Sequence, residues 1–178
     1  MTTSFTLPDD KTIELAEQVF DVIETQHWPE SGDAGRFTIR RLFDYVTDAG
    51  LDASDLEAAL EESAALRRDL RRLTAKIAGY HIPELAAAAS GPVTRRVTQG
   101  CQVSFEASRA EPSQTYVVIS LSELGSHPRW LAVFSKDNQC RRLALPEPRD
   151  GLIQLLMESG SDLLAALRDP DNEIFIDA

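Results

Sequence analysis

At Ala86-Ala87-Ala88-Ala89-Ser90-Gly91-Pro92 the spacing of apolar residues changes from three and four to two. Helices repeat every 3.6 residues and strands every two, so one chain that switches period once divides into a helical half and a strand-rich half. The expected class is therefore α+β: an N-terminal helical unit of three to four helices, then a mostly antiparallel sheet of about five strands with two short helices on one face. The boundary it implies separates an acidic helical domain over residues 1–90 from an α+β domain over residues 91–178.

The helical half is read from its stripes. Ile13, Ala16, Phe20 and Ile23 predict an amphipathic helix over 11–26, entered through Pro8-Asp9-Asp10. The segment 27–35 holds two glycines and a proline and reads as a loop, with Trp28 packed back on its neighbours. Thr38 is placed to cap a helix carrying Ile39, Leu42, Phe43 and Val46 and ended by Gly50. Ser54 with Glu57 suggests a capping box opening one long helix, whose seam runs through Leu56, Leu60, Ser63, Leu66, Leu70, Leu73 and Ile77. That seam must be covered, by the first two helices or by a second copy in a homodimer, and intramolecular cover is expected. Glu84 to Ala89 suggests a short fourth helix before Gly91-Pro92.

In the second half, alternation over 95–107 predicts a strand with a bulge at Gly100, and Thr115 to Ser122 a more apolar, central one. Trp130 to Phe134 and Cys140 to Leu145 continue an antiparallel meander. Leu152 to Met157 and Leu163 to Leu167 read as two short helices, and Glu173 to Ile176 as a final strand that rejoins the sheet.

The formal charge of -11 is uneven: residues 1–92 hold 17 acids against 9 bases, residues 93–178 hold 12 against 9. Such a field repels nucleic acid and anionic membranes and favours basic partners. Arg67, Arg68, Arg71, Arg72 and Lys76 form a basic run, but Asp69 interrupts it and no aromatic residues alternate with it for base stacking, which argues against nucleic acid. The first residues lack a basic leader with a cleavage site, and no apolar run approaches the ~20 residues a bilayer requires, so a soluble cytoplasmic protein without a membrane partner is expected.

No phosphate loop, nucleophile elbow or dinucleotide fingerprint is present. Cys101 and Cys140 sit in alternating runs as small hydrophobes, and neither pairs by motif with His27, His81 or His127. No metal site and no cofactor is expected, because His-x-x-x-His and Cys-x-x-Cys spacings are missing. The acids of Asp169-Pro170-Asp171-Asn172, and Glu147 and Asp150 around Pro148-Arg149, read as turn and cap residues. A small helical unit with a charged long helix, over residues 37–78, resembles helical regulator modules such as bacterial anti-sigma domains. It lacks their zinc-binding His-x-x-x-Cys-x-x-Cys pattern, and the resemblance implies no role for any residue.

These features point to a non-catalytic regulatory or adaptor protein whose acidic helical half captures a protein with a basic or amphipathic surface. Glu14, Glu17, Asp21, Leu66, Arg67 and Arg71 are the candidate partner-facing residues. Two alternatives stand beside it. One is a small enzyme or ligand sensor with a pocket where Arg142 and Arg149 frame an anion, and the other is an acidic inhibitor or immunity-like protein that mimics nucleic acid against a basic target.

Overall fold

A computed structural model of the chain describes residues 37–48, 51–85, 93–123 and 125–177. The helix expected over 11–26, the loop with Trp28 and the short helix expected over 84–89 lie largely or wholly outside these residues.

The described chain is α+β, built as a layer of helices, a sheet behind it and a second sheet behind that. The helices are α1 (Ile39–Thr47), α2 (Ser54–Glu62), α3 (Ala64–Ile77) and α4 (Asp162–Arg168). The strands are β1 (Tyr80–Ile82), β2 (Arg95–Thr98), β3 (Cys101–Ala107), β4 (Gln114–Leu121), β5 (Trp130–Phe134), β6 (Cys140–Ala144), β7 (Leu152–Glu158) and β8 (Glu173–Ile176). In place of one sheet there are two antiparallel sheets of four strands, in the orders β1-β8-β5-β6 and β2-β3-β4-β7. The meander therefore breaks between β4 and β5, where the chain changes sheet.

The first sheet is the shared layer. Alternate side chains of a strand point to opposite faces, and here both faces are apolar. Trp130, Ala132, Phe134 and Phe175 join Leu42, Val46, Leu56, Leu70 and Leu73 of the helices in one core. Leu131, Val133, Ile174 and Ile176 join Val103, Val117, Ile119 and Ile153 of the second sheet in another, to which α4 adds Leu164 and Leu167. All five residues of β5 are buried as a result. The seam residues Leu66, Leu70, Leu73 and Ile77 are buried within this chain, against the helices and the first sheet.

The helix expected as one continuous element from Ser54 to Ile77 is two. Ser63 adopts an extended conformation, φ -109 and ψ 104, and its side chain caps α3 by accepting from the Leu66 N–H at 3.3 Å. The start of α2 has no side-chain cap, so the capping box at Ser54 does not form. Thr38 caps α1 as expected, accepting from Arg41 N–H at 3.2 Å.

Two further expectations fail at tight two-residue turns that start a new strand. Gly100, with φ +80, is the corner of a hairpin between β2 and β3, not a bulge in one strand. The positive φ favours glycine, and a Cβ there would lie 3.1 Å from the Tyr80 ring, which would have to shift to admit it. Leu152 to Met157 is a strand and not a helix, which leaves α4 as the single short helix of this half among the described residues. Asp150 and Gly151 have φ of 52 and 74, the two left-handed residues of a type I′ turn, and they fold Leu152 back on Arg149 before β7 pairs with β4.

Candidate functional site

Among the described residues, a surface depression rich in polar side chains lies where α1 and α2 meet β6. Two adjoining open clefts, of about 350 Å³ and about 190 Å³, share Tyr45, Glu57 and Cys140. Arg141, Arg142 and Asp162 line the larger, and Glu61, Arg67 and Gln139 help line the smaller.

Arg142 is positioned by β6, where it stands opposite Ala132 and so points to the helical face of the sheet. Its guanidinium lies 3.4 Å from the centre of the Tyr45 ring and donates to the carbonyls of Tyr45 and, at 3.0 Å, Asp48. These carbonyls close the C-terminal end of α1, which has no basic residue in its last turn. A second nitrogen reaches Glu57 at 3.4 Å, and the Tyr45 hydroxyl donates to the same carboxylate at 3.4 Å. The Arg142 side chain is only 9% exposed, and both of its terminal nitrogens are directed to protein acceptors.

Arg67 serves α2 in the same way. It donates to the carbonyls of Leu60 at 2.7 Å and Glu61 at 3.0 Å, and its Nε holds Asp137 O in the β5–β6 turn at 3.0 Å. Arg71 pairs with Glu173, which also takes His81 at 3.1 Å. Leu66 is buried in the helical core. Arg149 is held across the Asp150–Gly151 turn by a pair of backbone hydrogen bonds with Leu152 and does not line either cleft, so it and Arg142 do not frame a common site. Glu14, Glu17 and Asp21 lie outside the described residues.

The arrangement holds its nucleophile candidates in their protonated forms. Burial pushes the Cys140 thiol up to about 12, with Arg142 and Arg141 pulling weakly the other way. Burial likewise raises Cys101 to about 11 and, aided by Cys140 and Glu57, Tyr45 to about 12. Both cysteines are free thiols. Among the described residues, no three His, Cys, Asp or Glu side chains gather as a metal site, and no helix is long and apolar enough to cross a membrane.

A further arginine escapes a sequence reading altogether. Arg96 of β2 is fully buried, and it donates to the carbonyls of Asp169 at 2.9 Å, Pro83 at 2.7 Å and Asn172 at 2.6 Å. Burial lowers its pKa, and the nearby Asp169 opposes that shift. Asp169 is the C-cap of α4, so three arginines close three helix ends, Arg96 and Arg142 from distant strands and Arg67 from the next helix. The available signal was negative: α1 and α2 have no basic residue in the last turn, and their last carbonyls needed donors from elsewhere.

The chain matches no protein-family model, no curated protein and no solved structure. The likeness to helical regulator modules gains no residue from these comparisons.

Proposed function

We propose that the protein is a non-catalytic regulatory or adaptor protein whose acidic helical half binds a basic or amphipathic surface of another protein. The observation that carries this reading is the α2 ridge. Asp52, Asp55, Glu57, Glu61 and Glu62 are all exposed on or beside one nine-residue helix. That helix is braced from three directions, by Arg41 on Asp55 at 3.0 Å, Arg142 on Glu57 and Arg67 on its C-terminal carbonyls. With Asp55 and Glu57 taken up by their arginines, the braced helix offers Glu61 and Glu62 from a fixed backbone, which lowers the ordering cost of orienting a cationic partner. Glu14, Glu17 and Asp21 would extend the same sign of charge from the N-terminal segment.

The cleft supports this reading over an enzyme or an anion sensor. Its strongest donor, Arg142, is already directed to Tyr45, Asp48 and Glu57, and its thiol is kept protonated. A thiol nucleophile needs the opposite, a lowered pKa beside a base. Affinity purification from the native cells, eluted in a salt series, tests the proposal. A stoichiometric protein should leave the column as salt screens the charges, and Glu61→Lys with Glu62→Lys should abolish its retention. Retention indifferent to salt and to both substitutions contradicts it. A partner identified as a nucleic-acid-binding protein, displaced by its own nucleic acid, would select the inhibitor version.

A further inference from the structure

We propose that the chain pairs with a second copy of itself along the outer edge of β7. Two antiparallel β7 strands would join their four-stranded sheets into one, around a two-fold axis at Leu156. The inference goes beyond the capture of a basic partner and uses a different surface.

β7 ends its sheet, with β4 on one side and no described strand on the other. Hydrogen bonds alternate along an antiparallel ladder. At its two ends Leu121 N–H donates to Gly151 O at 2.8 Å and Ser159 N–H to Ser113 O at 2.7 Å, which fixes the phase. Ile153, Leu155 and Met157 therefore turn their backbone groups to β4, and Gln154, Leu156 and Glu158 turn theirs outward. Arg149 occupies both groups of Leu152, and the Glu158 carbonyl accepts Ser161 N–H at 3.0 Å while keeping a second lone pair. The open edge thus runs from Gln154 to Glu158.

Free edges are normally blunted by shortness, lysine, proline or a bulge. β1, β2 and β6 have 3, 4 and 5 residues, whereas β7 has 7, pairs with β4 without a bulge and contains no proline, lysine or arginine. It also carries two large apolar residues standing in solvent, Leu152 at 48% and Leu156 at 50% exposure.

The occupant follows from what lies opposite what. A turn closes each end of the edge, so an antiparallel partner is confined to Gln154–Glu158. About a two-fold, Leu156 then faces Leu156 of the partner subunit, and Gln154 faces Glu158 of the partner subunit. On the inner face, half-buried Leu155 meets Met157 of the partner subunit. A chain of charge -11 repels its copy wherever carboxylates face each other. Here the only carboxylate of the strand meets a carboxamide that donates to it, and the other pairs are apolar. An unrelated strand would gain the backbone bonds without this match.

Sedimentation equilibrium of the full chain over roughly 1 to 500 µM, the span in which small interfaces associate, provides the test. The expected result is a reversible monomer–dimer equilibrium. Leu156→Lys sets two ammonium groups face to face and should weaken it at least about tenfold, with an unchanged circular dichroism spectrum and melting temperature in dilute solution. Gln154→Glu should weaken it by opposing Glu158 of the partner subunit, and adding Glu158→Gln should restore it. A wild-type chain monomeric throughout overturns the proposal, as does a dimer that survives both single substitutions. A dimer broken by Leu156→Lys yet indifferent to Gln154→Glu overturns the register.

Discussion

Among the described residues the two sheets have the same number of strands and differ in how many of their faces are covered. The first lies between the helices and the second sheet, and its central β5 is buried at every residue. In the second, β4 alternates between buried and half-buried, and β7 exposes Leu152, Gln154, Leu156 and Glu158 on one face and edge. Both rest on the same core, so the difference is one of position. Burial of both faces makes the first sheet the support to which everything else is attached. The second sheet keeps polar and apolar groups free for contact with other molecules.

The largest effect should come from the fastening between the two sheets. Arg96 belongs to the second sheet, and its three acceptors belong to the segments flanking β1 and preceding β8 in the first. Arg96→Ala leaves those carbonyls without their donor and should cost about 3 kcal/mol in urea unfolding, while Arg96→Lys should recover little because one ammonium lacks the planar fork. A loss below about 1 kcal/mol would mean that the sheets hold together without it.

Next in size is the corner of the β2–β3 hairpin. Gly100→Ala meets both a positive φ and the Tyr80 ring, and a melting curve should register a loss of about 1 to 3 kcal/mol. Smaller again is the helical layer. Ser63→Ala removes the α3 cap and should cost about 1 kcal/mol. Leu156→Lys, on the open edge, should change monomer stability by no more than about 0.5 kcal/mol, sharpening the contrast between the layers.

Alkaline pH probes both cores: Cys101, raised to about 11, belongs to the one with the second sheet, and Tyr45 and Cys140 report the interface between the helices and the first sheet. The Tyr45 hydroxyl and Cys140 thiol titrate higher in the folded chain than their ordinary 10.0 and 9.0, both because burial disfavours the anion. Each group favours the folded state fully below its ordinary pKa, and that preference disappears as pH climbs toward about 12. Stability should therefore fall from about pH 9 upward, and Tyr45→Phe should remove the part that begins above about pH 10.

The elements legible in the sequence were those whose local pattern agrees with their burial. Ile39 to Val46, the alternation of 101–107 and the terminal 173–176 strand are cases where the side chains facing a core repeat at the period of their own backbone. The failures have other causes. Leu152 to Met157 is apolar except at Gln154, because Leu152 and Leu156 stand on the open side opposite Ile153, Leu155 and Met157, which blurs the alternation, although Asp150-Gly151 was a hairpin signal just before it. Ser63 fitted the seam by spacing and instead ended a helix, supported by Arg67 four residues later. The second sheet was illegible because strand spacing does not encode which sheet a strand joins. At the cleft, Arg142 was legible as a distinctive residue, but its acceptors lie 94 and 97 residues away in sequence. The open edge of β7 became visible only once that segment was a strand.

Residue-resolved amide exchange on the full chain, in dilute and in concentrated solution, tests the contrast between the two sheets most directly. Slow exchange is expected for Ala132, Val133 and Leu155 at both concentrations, and near-unprotected exchange for Gln154 and Leu156 in dilute solution that slows on concentration. Equal protection of the Leu155 and Leu156 amides in dilute solution, or exchange at Leu156 that ignores concentration, would contradict this expectation.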